Sequence, residues 1–345
     1  MFQSKTLFIV GAGASKEAEL PTGNELTASI ADKVDIKFRN FNEQFSGEIE
    51  ISDALRAHVQ GVDGQPADIN PHLGACWHIR DAMPQASSID SFIDNQGDDK
   101  IELCGKLAIV RSILEAERNS LLFVDEREAY PALNFNGLND TWYKSFMQIL
   151  TEGRRKENLN QLFEDICFIT FNYDRCIEHF LFHAVKNYYR VKPDEAAEIL
   201  QGLKILHPYG MVGHMQWQSE KVSTPFGANV SGRKLLSLAE QIKTYTERVE
   251  DEAATTEMHQ VVQDAEIVVF LGFAFHQQNM GLIKPTAKCN AKRVFATARN
   301  ISKSDCAIVA NQISILLGMK PQLDLRDDLS CFGLFNEFRR SLSLS

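Results

Sequence analysis

No two of the chain's seven cysteines stand three residues apart, so the C-x-x-C pairs that usually hold a structural zinc ion are missing. Cys76, Cys104, Cys167, Cys176, Cys289, Cys306 and Cys331 are odd in number and scattered, which reads as free thiols in a reducing, cytoplasmic compartment. Long apolar runs are missing too. The longest, "IVVFLGFAF" over 267–275, is far short of the roughly 20 residues that span a bilayer. Lys5 ahead of "LFIV", with "AGA" behind it, superficially resembles a secretory signal, but a buried first strand accounts for so short a stretch. Positive charge is in deficit: 36 Lys and Arg against 46 Asp and Glu give a net charge of −10. That argues against a surface built to hold nucleic acid, although a local basic groove stays open. Repeats and low-complexity tracts are also lacking. What remains is an ordinary globular composition, 44% hydrophobic and 24% charged, in a chain of 345 residues. It is long enough to bury a real core as one large or two ordinary domains.

Three apolar, β-branched runs predict buried strands at 6–10, 166–171 and 266–272, and two weaker runs predict strands at 203–207 and 292–297. Helical periodicity follows the first strand over 24–34. It recurs over 174–189, with Asp174 placed to start the helix, over 233–265, and over 302–318. Strands alternating with helices predict an α/β fold with a doubly wound, mostly parallel, Rossmann-like sheet. Between the first helix and the strand at 166 no strong strand signal appears. "GKLAIVRSILEAERNSLLFVDE" and "TWYKSFMQILTEG" read as helices there, and "GVDGQPADINPH" as a turn-rich break. The chain is accordingly divided into a core of 1–34 and 160–320, a large helical insertion of 35–159, and a C-terminal helix and tail of 321–345. The apolar face of that last helix would dock on its own core or on another subunit.

"TLFIVGAGASKEAELPTG" (6–23) reads as a strand, a glycine turn and a polar helix opening, the outline of a phosphate-binding loop. The dinucleotide fingerprint G-x-G-x-x-G fails because position 16 is Lys, and Asp32, at about the right distance for the ribose acid, lies in a helical pattern. The Walker loop fails because no glycine precedes Lys16 and Glu17 follows it. The backbone logic survives: Gly11 and Gly13 permit a sharp turn with exposed N–H groups, and small Ala12, Ala14 and Ser15 leave room for a bulky anion. The competing reading is that these glycines only let strand and helix pack closely.

Other motifs sit at strand tips, where open α/β sheets bind ligands. "ITFNYD" sets Asn172 and Asp174 there, although Asp174 is also explained as a helix cap. "ILHPYG" places His207 at another tip, as a candidate base or a structural histidine, with Pro208 and Gly210 shaping the turn. In "FLGFAFHQQN", Gly272 ends a strand, with Ala274 and His276 just beyond, and "FATAR" (295–299) again runs from strand to small residues.

The set "GAGAS…LPTG", "TFNYD", "HPYG" and "GFAFH", in this order, resembles the sirtuin-like proteins over roughly 4–30 and 163–300. It is most similar to the divergent bacterial branch found in anti-phage defence, whose members cleave NAD+ instead of deacylating proteins. The resemblance implies that Gly11, Ala12, Gly13, Ala14 and Ser15 hold a pyrophosphate, with Thr22 and Phe171 among the nucleotide-binding residues. It implies that Asn172 binds the nicotinamide ribose or orients water, that Asp174 lies near the carboxamide, and that His207 is the general base. Gly272, Phe273, Ala274 and His276 would line the adenine-ribose side, and Thr297 and Ala298 the far ribose. "SSIDSFID" (87–94) also looks like a family segment, in which Asp90 faces the pocket or starts a helix.

The missing cysteine pairs set this chain apart from the deacylating members, which carry a zinc ribbon. Neither that ribbon nor its acyl-lysine cleft is expected, and NAD is the expected substrate with no metal. The implied activity is an NAD+ glycohydrolase that depletes NAD+ in abortive infection. Two other readings stay open: an NAD- or ADP-ribose-binding regulatory module without turnover, and a protein deacylase or ADP-ribosyltransferase. Constant NAD+ loss would kill the cell, so the enzyme is expected to be held off until triggered. With no room for a fused sensor, control is expected from homo-oligomerisation or a separately encoded partner, such as a DNA-translocating ATPase or an Argonaute-like protein. The helical insertion and the C-terminal helix are the expected contacts, with no direct nucleic-acid or membrane binding.

Overall fold

The structure, a computed structural model, describes residues 2–40, 43–60, 68–219, 222–318 and 320–344. Its strands are β1 (Thr6–Val10), β2 (Lys37–Arg39), β3 (Glu43–Ser46), β4 (Ile166–Thr170), β5 (Lys204–Leu206), β6 (Ile267–Leu271), β7 (Arg293–Thr297) and β8 (Gln322–Arg326). β2 and β3 form a small antiparallel hairpin. The other six make one parallel sheet in the order β5-β4-β1-β6-β7-β8, a doubly wound, Rossmann-like arrangement. The helices of the N-terminal half are α1 (Ala12–Ser15), α2 (Gly23–Lys33), α3 (Ile49–Val59), α4 (Asn70–Ala82), α5 (Ile89–Gln96), α6 (Asp99–Asn119) and α7 (Trp142–Thr151). Those that follow are α8 (Cys176–Tyr189), α9 (Pro193–Leu200), α10 (Gly232–Ala239), α11 (Tyr245–Glu250), α12 (Glu252–Asp264), α13 (Gln277–Leu282), α14 (Lys303–Leu317), α15 (Cys331–Glu337) and α16 (Arg339–Leu344).

Alternation along the strands builds two cores. Phe8, Val10, Phe168, Val269 and Phe295 face α7, α8 and α15, while Leu7, Ile9, Ile169, Val268 and Phe270 face α12, α13 and α14. Both faces are covered, which is why these strands read as continuous apolar runs. A third core, made by α2 to α6 with α10, meets the sheet where Tyr173 and Tyr209 project from the loops after β4 and β5. The carboxyl ends of the strands therefore open toward a helical layer.

The five expected strands are present within a residue or two. β8 was not expected: in "QLDLR" two leucines alternate with polar residues and no position is buried, as on an edge strand. It extends the sheet beyond β7 within the segment assigned to the C-terminal helix and tail. The expected boundaries of the helical insertion also shift. α7 packs on the sheet, and α10, from the second half of the chain, completes the third core. The single helical pattern over 233–265 is three helices. Thr244 and Glu247 form a capping box that starts α11, and Asp251 accepts from Ala254 N at 3.1 Å to start α12. Of the turn-rich break, 61–67 lies outside the described residues. All seven cysteines are free, and no helix among the described residues is long and apolar enough to cross a membrane.

The apolar face of α15 docks on the chain's own core. Phe335 is 1% exposed, with its ring 5.9 Å from Trp142 and 6.1 Å from Phe8. The Glu17 carboxylate ties the same region together, accepting from Trp142 N and Phe332 N, each at 2.8 Å. Phe335→Ala is expected to cost about 3–5 kcal/mol in urea unfolding, as for a buried phenyl ring. A change under about 1 kcal/mol would mean that this helix does not belong to the core.

Candidate functional site

The loop after β1 is built on close backbone approach. Gly11 N donates to Leu271 O and Gly13 N to Gly272 O, each at 3.0 Å. A Cβ on Gly11 would sit 2.7 Å from Gly272 O, and one on Gly13 2.8 Å from Gly272 Cα. Gly272 itself has φ +55, and a Cβ there would lie 2.1 Å from Ala14 N. Three glycines thus bring the loops after β1 and β6 into contact at the point where the strand order reverses. The N–H groups expected to be exposed are consequently not those of Gly11 and Gly13. Ala12, first in the α1 turn, supplies the donor with no intrahelical partner, beside the Ser15 hydroxyl.

That hydroxyl opens a polar chain across three strand tips. Asn172 Nδ2 donates to Ser15 Oγ at 2.9 Å. The Asn172 carbonyl oxygen lies 3.3 Å from His207 Nδ1, and His207 Nε2 lies 2.7 Å from Glu178 Oε1. The His207 and Glu178 side chains are almost fully buried, at 4% and 2% exposure. Burial opposes charge on the His207 ring, but the Glu178 carboxylate against it outweighs burial and raises its pKa. Both ring nitrogens are thus engaged, Nδ1 at the Asn172 backbone carbonyl and Nε2 at Glu178. Asp174 sits in the same buried cluster and accepts from Cys176 N, the first residue of α8, at 3.1 Å, while Arg175 holds the N-cap position. Burial pushes its carboxyl up, while Cys176 and Ser15 pull it back by hydrogen bonding.

The next residue anchors the crest. Arg175 and Glu117, at the end of α6, form an ion pair with both side chains fully buried. Arg175 Nη1 also donates to Thr224 O at 2.6 Å and Nη2 to Pro225 O at 3.1 Å, while Glu117 accepts from Gly227 N at 2.9 Å. The segment 224–227 is thereby wrapped around the pair.

The helical layer reaches the same crest. Tyr173 donates its hydroxyl to Asp90, and Tyr209 donates to Asn279 Oδ1 at 2.7 Å. Ser91 Oγ meets Gln278 Oε1 at 3.3 Å. Ser88 rather than Asp90 caps α5, which frees Asp90 for this contact, and burial pushes its carboxyl up to about 6. The Phe171 ring lies 5.2 Å from Phe273 and 5.8 Å from Tyr209. Ser15, Phe171, Asn172, Asp174, His207, Gly272, Phe273 and Asp90 are therefore brought to one crest.

Other expected residues have structural duties. Thr22 forms a capping box with Glu25 at the start of α2. Thr297 Oγ1 accepts from Gly272 N at 2.8 Å, and Ala298 N donates to Arg326 O at 2.8 Å beside β8. Ala274 and His276 lie exposed in the loop after β6. Sequence reasoning missed Glu178, whose signal was a lone acid inside the apolar helical run "CIEHFLF". Among the described residues no group of three or more His, Cys, Asp or Glu could hold a metal ion. Neither a scan against protein-family models nor a search of curated proteins finds a match for the chain.

Two outcomes test this geometry. Gly272→Ala is expected to destabilise the fold by roughly 2–4 kcal/mol through strain and overpacking. Exposed Gly23→Ala, where an added Cβ meets nothing within 4 Å, should be neutral or slightly stabilising in the same thermal scan. The second concerns the ion pair. A histidine whose folded pKa is raised contributes stability that is fully present below its unfolded value, about 6.5, and lost as pH rises through the folded value. The melting-temperature gap between wild type and Glu178→Gln should accordingly be widest at acidic pH and narrow as pH rises. A gap independent of pH would remove the pair from the stability of the site.

Proposed function

We propose that the chain is an NAD+ glycohydrolase, which cleaves the nicotinamide–ribose bond to give nicotinamide and ADP-ribose. The observation that carries this reading is the polar chain from Ser15 through Asn172 and His207 to Glu178, at the carboxyl ends of three adjacent parallel strands. The glycine contact at the strand-order reversal leaves little side-chain bulk between the loops and a dinucleotide there. Ala12 N–H is the donor left for its phosphates, because the buried Ser15 hydroxyl is already bonded to Asn172 and Asp174.

Nicotinamide departs as a neutral group, so no general acid is needed at the leaving nitrogen. The protein has to hold the ribose, exclude bulk water and admit one nucleophile. Asn172 suits positioning because its amide both donates and accepts. His207 Nε2 faces Glu178 and Nδ1 faces the Asn172 backbone carbonyl, so Nδ1 takes a proton only after it leaves that carbonyl, and the carboxylate then stabilises the imidazolium that results. The raised pKa of His207 makes it a stronger acceptor once neutral.

The same proposal extends to biology: NAD+ depletion in anti-phage abortive infection, in the cytoplasm, by a homo-oligomer under the control of a separately encoded DNA-translocating ATPase or Argonaute-like partner. Since α15 is occupied by its own core, the helical layer over the crest is the better-placed surface for such control.

Purified chain, alone and with the product of the neighbouring gene, is incubated with NAD+ and the products are separated by chromatography. Nicotinamide and ADP-ribose are expected from wild type. Asn172→Ala should lower the rate at least 100-fold with an unchanged melting profile. An Asn172→Ala protein as active as wild type would sink the assignment.

A further inference from the structure

Beside the crest, at the outer edge of the sheet, a cavity of about 260 Å³ opens under β5. Leu206 and Met211 give it apolar walls, and His214, Lys243 and Arg248 bring nitrogen groups to it, while His207 lines it with both ring nitrogens already engaged. Arg248 is 4% exposed, and its Nε is buried without a hydrogen-bond partner. Its Nη1 donates to the Asp251 carbonyl at 3.2 Å, and the Asp251 carboxylate approaches no closer than 3.8 Å. That carboxylate is already committed to Lys243 Nζ at 3.0 Å and to Ala254 N at 3.1 Å. Glu257, which also acts on Arg248 electrostatically, is paired with Lys204 at 2.8 Å. His207 has its own carboxylate in Glu178. Two cations at the cavity thus share one carboxylate, and the buried guanidinium keeps an unanswered donor.

An unmet buried donor on a charged group is costly, and a cavity lined by that group is where the missing acceptor belongs. We propose that this cavity is an oxyanion site that takes a phosphate group, either free orthophosphate or the head of a small phosphate monoester. Arg248 presents a planar fork to two phosphate oxygens, and Lys243 adds a point charge. The cavity has room for about eight waters at roughly 30 Å³ each, which accommodates a phosphate and a short organic portion. The site is separate from the glycine loop, and its existence does not depend on nucleotide cleavage. Because His207 forms part of the wall, an anion held there lies against the same ring that Glu178 pairs, so occupancy is coupled to the crest.

The test is calorimetric titration of the full chain with orthophosphate, glycerol phosphate and acetate at fixed ionic strength. Wild type is expected to bind orthophosphate or the monoester at millimolar concentration or tighter, and acetate at least tenfold more weakly. A tighter monoester than orthophosphate identifies the organic source, and the reverse identifies the free ion. Lys243→Gln leaves Asp251 to Arg248 alone and should weaken phosphate at least tenfold, as should Arg248→Gln. The Lys243 side chain is 42% exposed, so its variant keeps the test alive where Arg248→Gln fails to fold. Lys320→Gln serves as a surface control and should change nothing. Absence of phosphate binding to wild type, acetate binding as tightly as phosphate, or phosphate binding undiminished in Lys243→Gln each overturns the proposal.

Discussion

The crest depends on one buried charge pair. Arg175 and Glu117 have left water completely, and the desolvation of two ions is offset only where nearly every lone pair and N–H is met. Here the carboxylate holds the guanidinium and two backbone N–H groups, and the guanidinium directs its other donors to two carbonyls. Removing one partner would strand the other, a loss of about 3–5 kcal/mol in comparable cases. The pair therefore fixes the end of the long α6 helix, the loop after β4 and the segment 224–227 relative to one another. Asn172 and Asp174 lie three residues and one residue ahead of Arg175 in sequence, so their positions follow from it.

Around the anchor the crest collects acids that burial disfavours. Glu117 and Asp174 are both pushed up by desolvation, and Glu178 is buried with Oε2 unpartnered. A fold selected for stability alone would place apolar groups here. Asp174 stands against Ser15 and Glu178 against His207, and groups perturbed at strand tips, as Asp174 and His207 are, mark a candidate site. The glycine contact works in the same direction. It gives up side-chain packing at the centre of the sheet and lets two loops meet where a ligand would approach.

Much of this was legible in the sequence. The buried strands announced themselves because residues covered on both faces must be apolar and β-branched at every position. Asn172, Asp174 and His207 could be placed at the crest because a polar residue directly at the end of such a run stands out against it. What stayed hidden was the set of partners. Glu178 is four residues past Asp174 and looks like any helical glutamate until His207 arrives from another strand. Thr22 and Thr297 looked like ligand contacts, but their hydroxyls serve a helix cap and Gly272 N–H. β8 escaped because an edge strand needs only alternation, which "QLDLR" provides in five residues. The limits of the helical layer were misjudged because α10 joins it from far along the chain, a contact that no local pattern encodes.

The strand order also bears on how the chain becomes folded. β1 lies at the centre of the sheet, with Thr6 opposite Ile166 on one side and Ile267 on the other. β1 therefore has no neighbour until about 160 residues later, and its second arrives about 100 after that. Pairings at such separation close large loops before any contact rewards them, which slows assembly and leaves an apolar edge open to wrong partners meanwhile. The helices of 49–119 emerge during that interval with a core largely of their own, so nascent structure begins in the layer that later roofs the crest. The sheet beneath is completed only after β6, β7 and β8 have followed.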